Sequence, residues 1–373
     1  AMALLASRSL PEVDHATPRA AADIELLRGL VGIESLSHQE GPAVSYLRSQ
    51  MAARGFRLQE SRAGSAIGTI GEGDRHLVLL GHIDTVPGRI PVRIDDGVLW
   101  GRGSVDAKGP LATFVAAASA AADDLKCRVT VVGATGEEVI GSPGANEVAT
   151  WDAPDFCIIG EPSGWDSVCL GYRGSMSLIY RLEQSTRHTA GPGESVAEIA
   201  VQFWNAVLAE VAAWNAEATT SFGSIGPGLR SFNTHGDGLT DVATLSIGLR
   251  LPPDIDVQRL LGRIRELAGP GEIQIDGIQK GYRTSKRSAL IPPFLRAIRG
   301  SGGKPGFKLK TGTSDMNVVG PVWGCPIVAY GPGDSALDHT PDERIELAEY
   351  LLAIDVLRDV LVSLSTPKQG SAA

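Results

Sequence analysis

The apolar positions of this chain change their period along its length. Between Ala20 and Arg62 they recur at three- and four-residue spacing: Ile24, Leu26, Leu27, Leu30 and Val31, then Val44, Leu47 and Met51. That stripe predicts helix throughout the stretch. Beyond it, short continuous apolar runs alternate with helical ones. "HLVLLG", "CRVTVVGA", "FCIIG" and "PIVAYG" are predicted as buried strands, "GPLATFVAAASAAADDL" and "ERIELAEYLLAIDVLRDVLVSL" as helices. Unbroken apolar strands interleaved with helices predict an α/β domain with a mostly parallel sheet and helices on both faces.

The middle of the chain has another rhythm. "GSMSLIYRLE" and "ATLSIGLRLPP" alternate apolar and polar residues, as strands with one solvated face do. The helical "SVAEIAVQFWNAVLAEVAAWN" lies between them; the helical "DVQRLLGRIRELA" and the strand "EIQIDGI" follow. This predicts an inserted α+β two-layer domain at 172–283, with two helices on one face of its sheet. The α/β domain is then discontinuous, 1–171 and 284–373. A chain of 373 residues suits about two domains.

Composition narrows the function. A net charge of −9 argues against a general nucleic-acid binder, which needs a basic footprint. No apolar run of about 18 residues is evident, so no membrane span is expected. The opening "AMALLASRSLPEVDH" lacks a basic leader and reads as a frayed end rather than a signal peptide. The tail "STPKQGSAA" is predicted disordered. Cys127, Cys157, Cys169 and Cys325 stand apart, with no CxxC pair, which suits reduced thiols in a cytoplasmic protein.

Ligands of open α/β sheets bind outside the carboxyl ends of the strands. His82 and Asp84 follow "HLVLLG", and Asp106 follows "LWGRGSV". Glu137 and Glu138 follow "RVTVVGATG", Glu161 follows "FCIIG", and His339 ends "PIVAYGPGDSALDH". So many carboxylates in one crevice repel one another without a cation. Two imidazoles with several carboxylates suit zinc, cobalt or manganese. Seven groups exceed one ion's needs and suit two ions sharing a carboxylate, with one carboxylate left to orient a ligand and one to act as a base. Asp84, two residues from His82, is placed to orient that imidazole. Adjacent side chains diverge, so one of Glu137 and Glu138 can bind metal while the other faces substrate.

"LLGHIDTVP", "GRGSVDAKGPLA", "TGEEVIGSPGA", "IGEPSG" and "GPGDSALDHTPDE" resemble, in order, the motifs of the dinuclear-zinc amidohydrolases. That family includes acetylornithine deacetylase, succinyl-diaminopimelate desuccinylase and carboxypeptidase G. The resemblance implies that His82 and Glu161 hold one ion, Glu138 and His339 the other, and that Asp106 bridges them. It implies Glu137 as general base, Asp84 as the residue orienting His82, and a cis peptide at Asp106–Ala107. The inserted domain would be a lid and dimerisation domain, supplying His188 as a donor to the oxyanion. Arg250 would bind a substrate carboxylate and Asn233 would be a lid contact. Thr313 and Ser314 would hold the released amino acid, with capping of the next helix an equally good account of these two.

"YGPGDSALDHTP", "KTGTSDMNVVG" and "SFNTHGDGLTDVATLSIGLRLPP" narrow the resemblance to hydrolases that release lysine or ornithine from an amino-group carrier protein. There the amino acid hangs by an amide on the carrier's C-terminal glutamate side chain. From Gly277 to Ser314 the chain carries nine Lys or Arg and no acid. Such a stripe could dock an acidic carrier; a solvated basic face is the plain alternative. The rival activity is a deacylase of a small N-acyl amino acid, or a dipeptidase. A catalytically silent binding module is disfavoured because no ligand or base is missing. "GSGGKPG" does not fit a P-loop, since Pro305 stands where Ser or Thr belongs. No GxSxG elbow marks a serine hydrolase.

Overall fold

Thr17 opens the first helix: its hydroxyl accepts from the Ala20 N–H at 3.1 Å, and Pro18 stands just inside the start. The structure, a computed structural model, describes residues 10–11, 17–188 and 190–365. The predicted frayed start and disordered tail lie almost entirely outside these residues.

The elements follow in chain order. The first are α1 (Pro18–Val31), α2 (Gly41–Ala53), β1 (Arg57–Gln59), β2 (Ala66–Ile70) and β3 (His76–His82). Then come β4 (Arg93–Asp95), β5 (Val98–Trp100), α3 (Lys108–Ala121), β6 (Arg128–Ala134), α4 (Pro143–Ala149), β7 (Phe156–Gly160) and β8 (Ser167–Tyr172). The middle holds β9 (Gly174–Ser185), α5 (Val196–Trp214), β10 (Gly226–Gly236), β11 (Thr240–Leu251), α6 (Val257–Leu267) and β12 (Glu272–Gln279). The last are β13 (Tyr282–Arg283), α7 (Ile291–Gly300), β14 (Gly306–Lys310), α8 (Met316–Trp323), β15 (Ile327–Ala329), β16 (Arg344–Glu346) and α9 (Leu347–Ser365).

Two compact units result. One comprises the described residues up to Gly171, Thr284–Lys308 and the stretch from Ser314; the other is Tyr172–Arg283 with Leu309–Thr313. The first is built on a mixed sheet in the order β1-β2-β6-β3-β7-β15-β8, with β14 also on β8. Its centre, β6-β3-β7-β15, is parallel, and β2 and β8 extend it antiparallel on either side. α3 is buried on nearly all sides, which its Ala-rich sequence permits, and packs against α9, α1 and the sheet.

Three glycines lie where α2 and α3 pack on the sheet. Gly133, Gly81 and Gly160 are register neighbours across β6, β3 and β7. A Cβ on Gly160 would stand 2.9 Å from the Phe114 ring, and one on Gly133 2.8 Å from Leu47. The strands therefore carry these glycines at, or one step before, their carboxyl ends, where helices pack onto the sheet.

In the second unit all strand pairs are antiparallel, in the order β10-β11-β9-β12. β9 alternates buried and part-exposed residues, and its inward Met176, Leu178, Tyr180 and Leu182 meet α5 and α6. Tyr180 stacks on Phe203 with ring centroids 4.1 Å apart. Ser195 and Glu198 form a capping box at the start of α5.

Several expectations need correction. The helical stripe does not run to Arg62: Gly55, at φ 87°, turns the chain and β1 follows. The last helix starts at Leu347, because Arg344–Glu346 pairs as a strand with Val98–Trp100. β10 is an additional strand of the inserted sheet; its mostly exposed residues give little apolar alternation to read. α5 is, among the described residues, the helix long and apolar enough to cross a membrane by length and composition. Its Val196, Ala200, Phe203, Val207 and Val211 pack into the second core instead.

Candidate metal centre and active site

Because β6, β3 and β7 are parallel and in register, their carboxyl ends open onto one edge. His82 is paired with Ala134, three residues before Glu137, and Gly81 with Gly160, one residue before Glu161. The sheet thus collects residues from three distant stretches.

Asp106 lies between the two histidines. Its Oδ1 is 3.1 Å from His82 Nε2 and its Oδ2 is 3.0 Å from His339 Nε2. His82 Nε2 also faces Glu161 Oε1 at 3.8 Å, and His339 Nε2 faces Glu138 Oε1 at 3.0 Å. Two half-sites result, each an imidazole with its own glutamate and one oxygen of a shared aspartate. The peptide between Asp106 and Ala107 is cis. His339 sits at φ 60°, a region that costs a non-glycine residue about 1 kcal/mol or more and clusters at functional sites.

Asp84 does more than orient His82. His82 Nδ1 donates to the backbone carbonyl of Asp84 at 3.0 Å, while the nearest carboxylate oxygen is 3.6 Å away. With Nδ1 tied to that carbonyl as donor, Nε2 faces the cluster and is the nitrogen that would ligate a cation in place of a proton. The Asp84 carboxylate accepts from the Glu137 and Glu138 amides at 3.0 and 3.1 Å and from the Ser37 hydroxyl at 2.7 Å. It therefore fixes the turn from which those two side chains leave in different directions.

The electrostatics follow from crowding under burial. Burial alone would raise the Asp106 carboxyl, but the two imidazoles hold it well below the usual carboxylate range. Burial would lower His82, yet Asp106 and Asp84 outweigh it and hold the ring well above its ordinary value. Contacts with Asp106 and Glu138 push His339 up to about 10. Burial, reinforced by Glu161, Asp315 and Glu138 and only partly offset by His82, pushes Glu137 well above the ordinary range.

These residues fit divalent cations. Both imidazoles aim the nitrogen that would ligate at carboxylate oxygens, so a positive charge is already called for at each half-site. Ligand atoms of His82, Asp106 and Glu138 lie within 4.8 Å of one another. The mixed N/O donor set suits zinc, cobalt or manganese.

The other predicted residues are placed differently. Ser314 accepts from the Met316 N–H at 3.2 Å, satisfying the first turn of α8. Thr313 belongs to the inserted unit, where its hydroxyl accepts from Arg250 at 3.3 Å. Asn233 is exposed on β10, and His188 is exposed in the loop after β9. The His188 Nδ1 accepts from the Ala190 N–H at 3.1 Å, which leaves Nε2–H as the donor of the neutral ring.

Sequence reasoning missed Asp315 as part of the cluster's electrostatics. It is buried, neither carboxylate oxygen has a hydrogen-bond partner, and burial pushes it up to about 7. Its signal was weak: an aspartate after Thr313 and Ser314 reads as a helix start.

The sequence matches Peptidase family M20/M25/M40 over residues 78–363. The chain belongs to this family and is a hydrolase. It is 47% identical over 357 residues to the LysW-lysine hydrolase of Deinococcus radiodurans, covering 93% of this chain and 98% of that one. It is 28% identical over 346 residues to the LysW-lysine/LysW-ornithine hydrolase of Sulfurisphaera tokodaii, covering 92% and 96%. Among solved structures it resembles an M20 family metallo-carboxypeptidase of Sulfolobus solfataricus, with a TM-score of 0.76 at 17% identity, covering 91% and 98%.

Proposed function

We propose that this chain is a metal-dependent amide hydrolase that releases lysine, ornithine or a related diamino acid from the C-terminal glutamate side chain of an amino-group carrier protein. The near full-length identity to a LysW-lysine hydrolase carries the substrate reading. The shared position of Asp106 between His82 and His339 supports the chemistry.

In this reading His82 and Glu161 hold one ion, Glu138 and His339 the second, and Asp106 both. Bound there, two zinc ions, or cobalt or manganese, would polarise the amide carbonyl and make hydroxide available near neutral pH. Glu137 takes the proton from the attacking water and returns it to the leaving amine. Asp84 keeps Glu137 and Glu138 apart through their amides. His188 donates to the developing oxyanion. Arg250, Asn233, Thr313 and Ser314 bind the substrate's amino-acid end.

The carrier is acidic in this proposal. Lys286, Arg287, Arg296, Arg299 and Lys304 are exposed in the first unit, and Lys286 lies 5.0 Å over the exposed Phe307 ring. We place the enzyme in the cytoplasm, consistent with free cysteines at all four positions. We also propose a homodimer formed through the inserted unit. β10 is an edge strand bearing exposed Leu229 and Phe232, and α5 exposes Val201 and Leu208; such edges and apolar faces invite pairing. Leu208→Glu with Phe232→Glu converts the dimer to monomer by light scattering; an unchanged mass removes this interface.

The test of function compares two substrates on the zinc-loaded enzyme. One is a carrier protein bearing lysine or ornithine on its terminal glutamate; the other is free N-acetylornithine. Cleavage of the conjugate alone supports the proposal. Cleavage of the small amide alone replaces it with a deacylase.

A further inference from the structure

Four residues beyond His339, the chain buries a glutamate completely. Glu343 has no exposed surface. A carboxylate removed from water costs several kcal/mol unless charge and hydrogen bonds compensate it. Here the compensation comes from one loop. Its Oε1 accepts from the backbone N–H of Val105 at 2.9 Å and of Asp106 at 3.0 Å. Its Oε2 accepts from Arg102 Nη1 at 2.7 Å, and Arg102 Nε donates in turn to the Gly88 carbonyl at 3.1 Å. The Glu343 carbonyl accepts from the Gly101 N–H at 3.3 Å, and the adjacent β16 pairs with β5.

We propose that Glu343 is a positioning residue for Asp106, setting the backbone from which that carboxylate reaches both half-sites. The inference rests on the reading of Asp106 as the shared metal ligand. Glu343 belongs to the segment that carries His339, and it grips the N–H of Asp106 itself. One side chain therefore registers two ligand segments that are far apart in sequence. Arg102 neutralises the carboxylate without touching either histidine. A neutral amide in its place would turn an NH2 group toward donors, either the Arg102 guanidinium or the two backbone N–H groups.

Zinc titrated into the metal-stripped full chain, against a competing chelator, tests this. The variants are Glu343→Gln, Glu343→Asp and Asp23→Asn. Asp23 is a buried carboxylate paired with Arg54 at 2.7 Å in α1 and serves as the structural control. Because Asp106 faces both half-sites, Glu343→Gln weakens both zinc equivalents together, by the ~10- to 100-fold typical of groups that orient metal ligands. Its kcat falls with little change in KM. Glu343→Asp, a methylene too short to span three donors, weakens both to a smaller degree and guards against a Gln variant that does not fold. Asp23→Asn lowers the melting temperature and leaves zinc affinity alone. Wild-type affinity in either folded Glu343 variant, or weakening of only one equivalent, overturns the proposal while the metal site stands. A wild-type chain that holds no zinc overturns both readings.

Discussion

Glu137 and Glu138 are neighbours with one backbone turn between them, yet their surroundings separate their roles. Glu138 meets His339 at 3.0 Å, two ligands of one ion in our reading, while burial and nearby carboxylates raise Glu137, which makes its carboxylate a stronger base. Glu137→Gln keeps the side chain's size and removes the base. Metal analysis should show unchanged zinc content with turnover down by orders of magnitude, at least the ~10²-fold typical of one acid–base group. Retained turnover would exclude Glu137 as the base. His188 is the complementary case. Its Nε2–H is left as a donor by the contact at Nδ1, so His188→Ala should cost about 10²-fold in kcat with zinc content unchanged. An unaltered kcat would make it an ordinary loop residue.

At the scale of elements, the centre is a product of register. His82, Glu137–Glu138 and Glu161 come together because β6, β3 and β7 align within a few residues of their ends. The glycines at 133, 81 and 160 let helices approach at that level. Gly160→Ala would place a methyl 2.9 Å from the ring of the fully buried Phe114, so a neighbour must shift. Urea unfolding should show a loss of about 1–3 kcal/mol from overpacking. Wild-type stability would mean that α3 shifts freely. The runs "HLVLLG" and "FCIIG" were readable because strands buried on both faces are apolar throughout. β10 was not, because a strand whose side chains are mostly exposed leaves no alternation.

At the scale of the whole molecule, charge is unevenly distributed. The chain carries a net −9, yet the stretch from Gly277 to Ser314 has nine basic residues and no acid. If that stretch meets an acidic carrier, attraction speeds encounter and salt screens it. Raising ionic strength from about 0.05 to 0.5 M should lower kcat/KM for the conjugate by ~10-fold, with kcat little changed. A salt-independent kcat/KM would leave the basic stretch without this role.

The sequence by itself determined the chemistry available: two histidines and five carboxylates after apolar runs, in an order that marks the family. It also determined the alternation of buried strands and helices and the change of period at the inserted unit, since both follow from local side-chain patterns. Only the tertiary structure decided which groups meet. That Asp106 spans His82 and His339, that Asp84 serves the Glu137–Glu138 amides more than the His82 ring, and that Glu343 grips the Asp106 backbone are contacts between residues up to 237 positions apart. Periodicity reports which face of an element is buried. It carries no record of which distant loop a buried carboxylate will satisfy, because that partner is chosen by strand register and chain crossover.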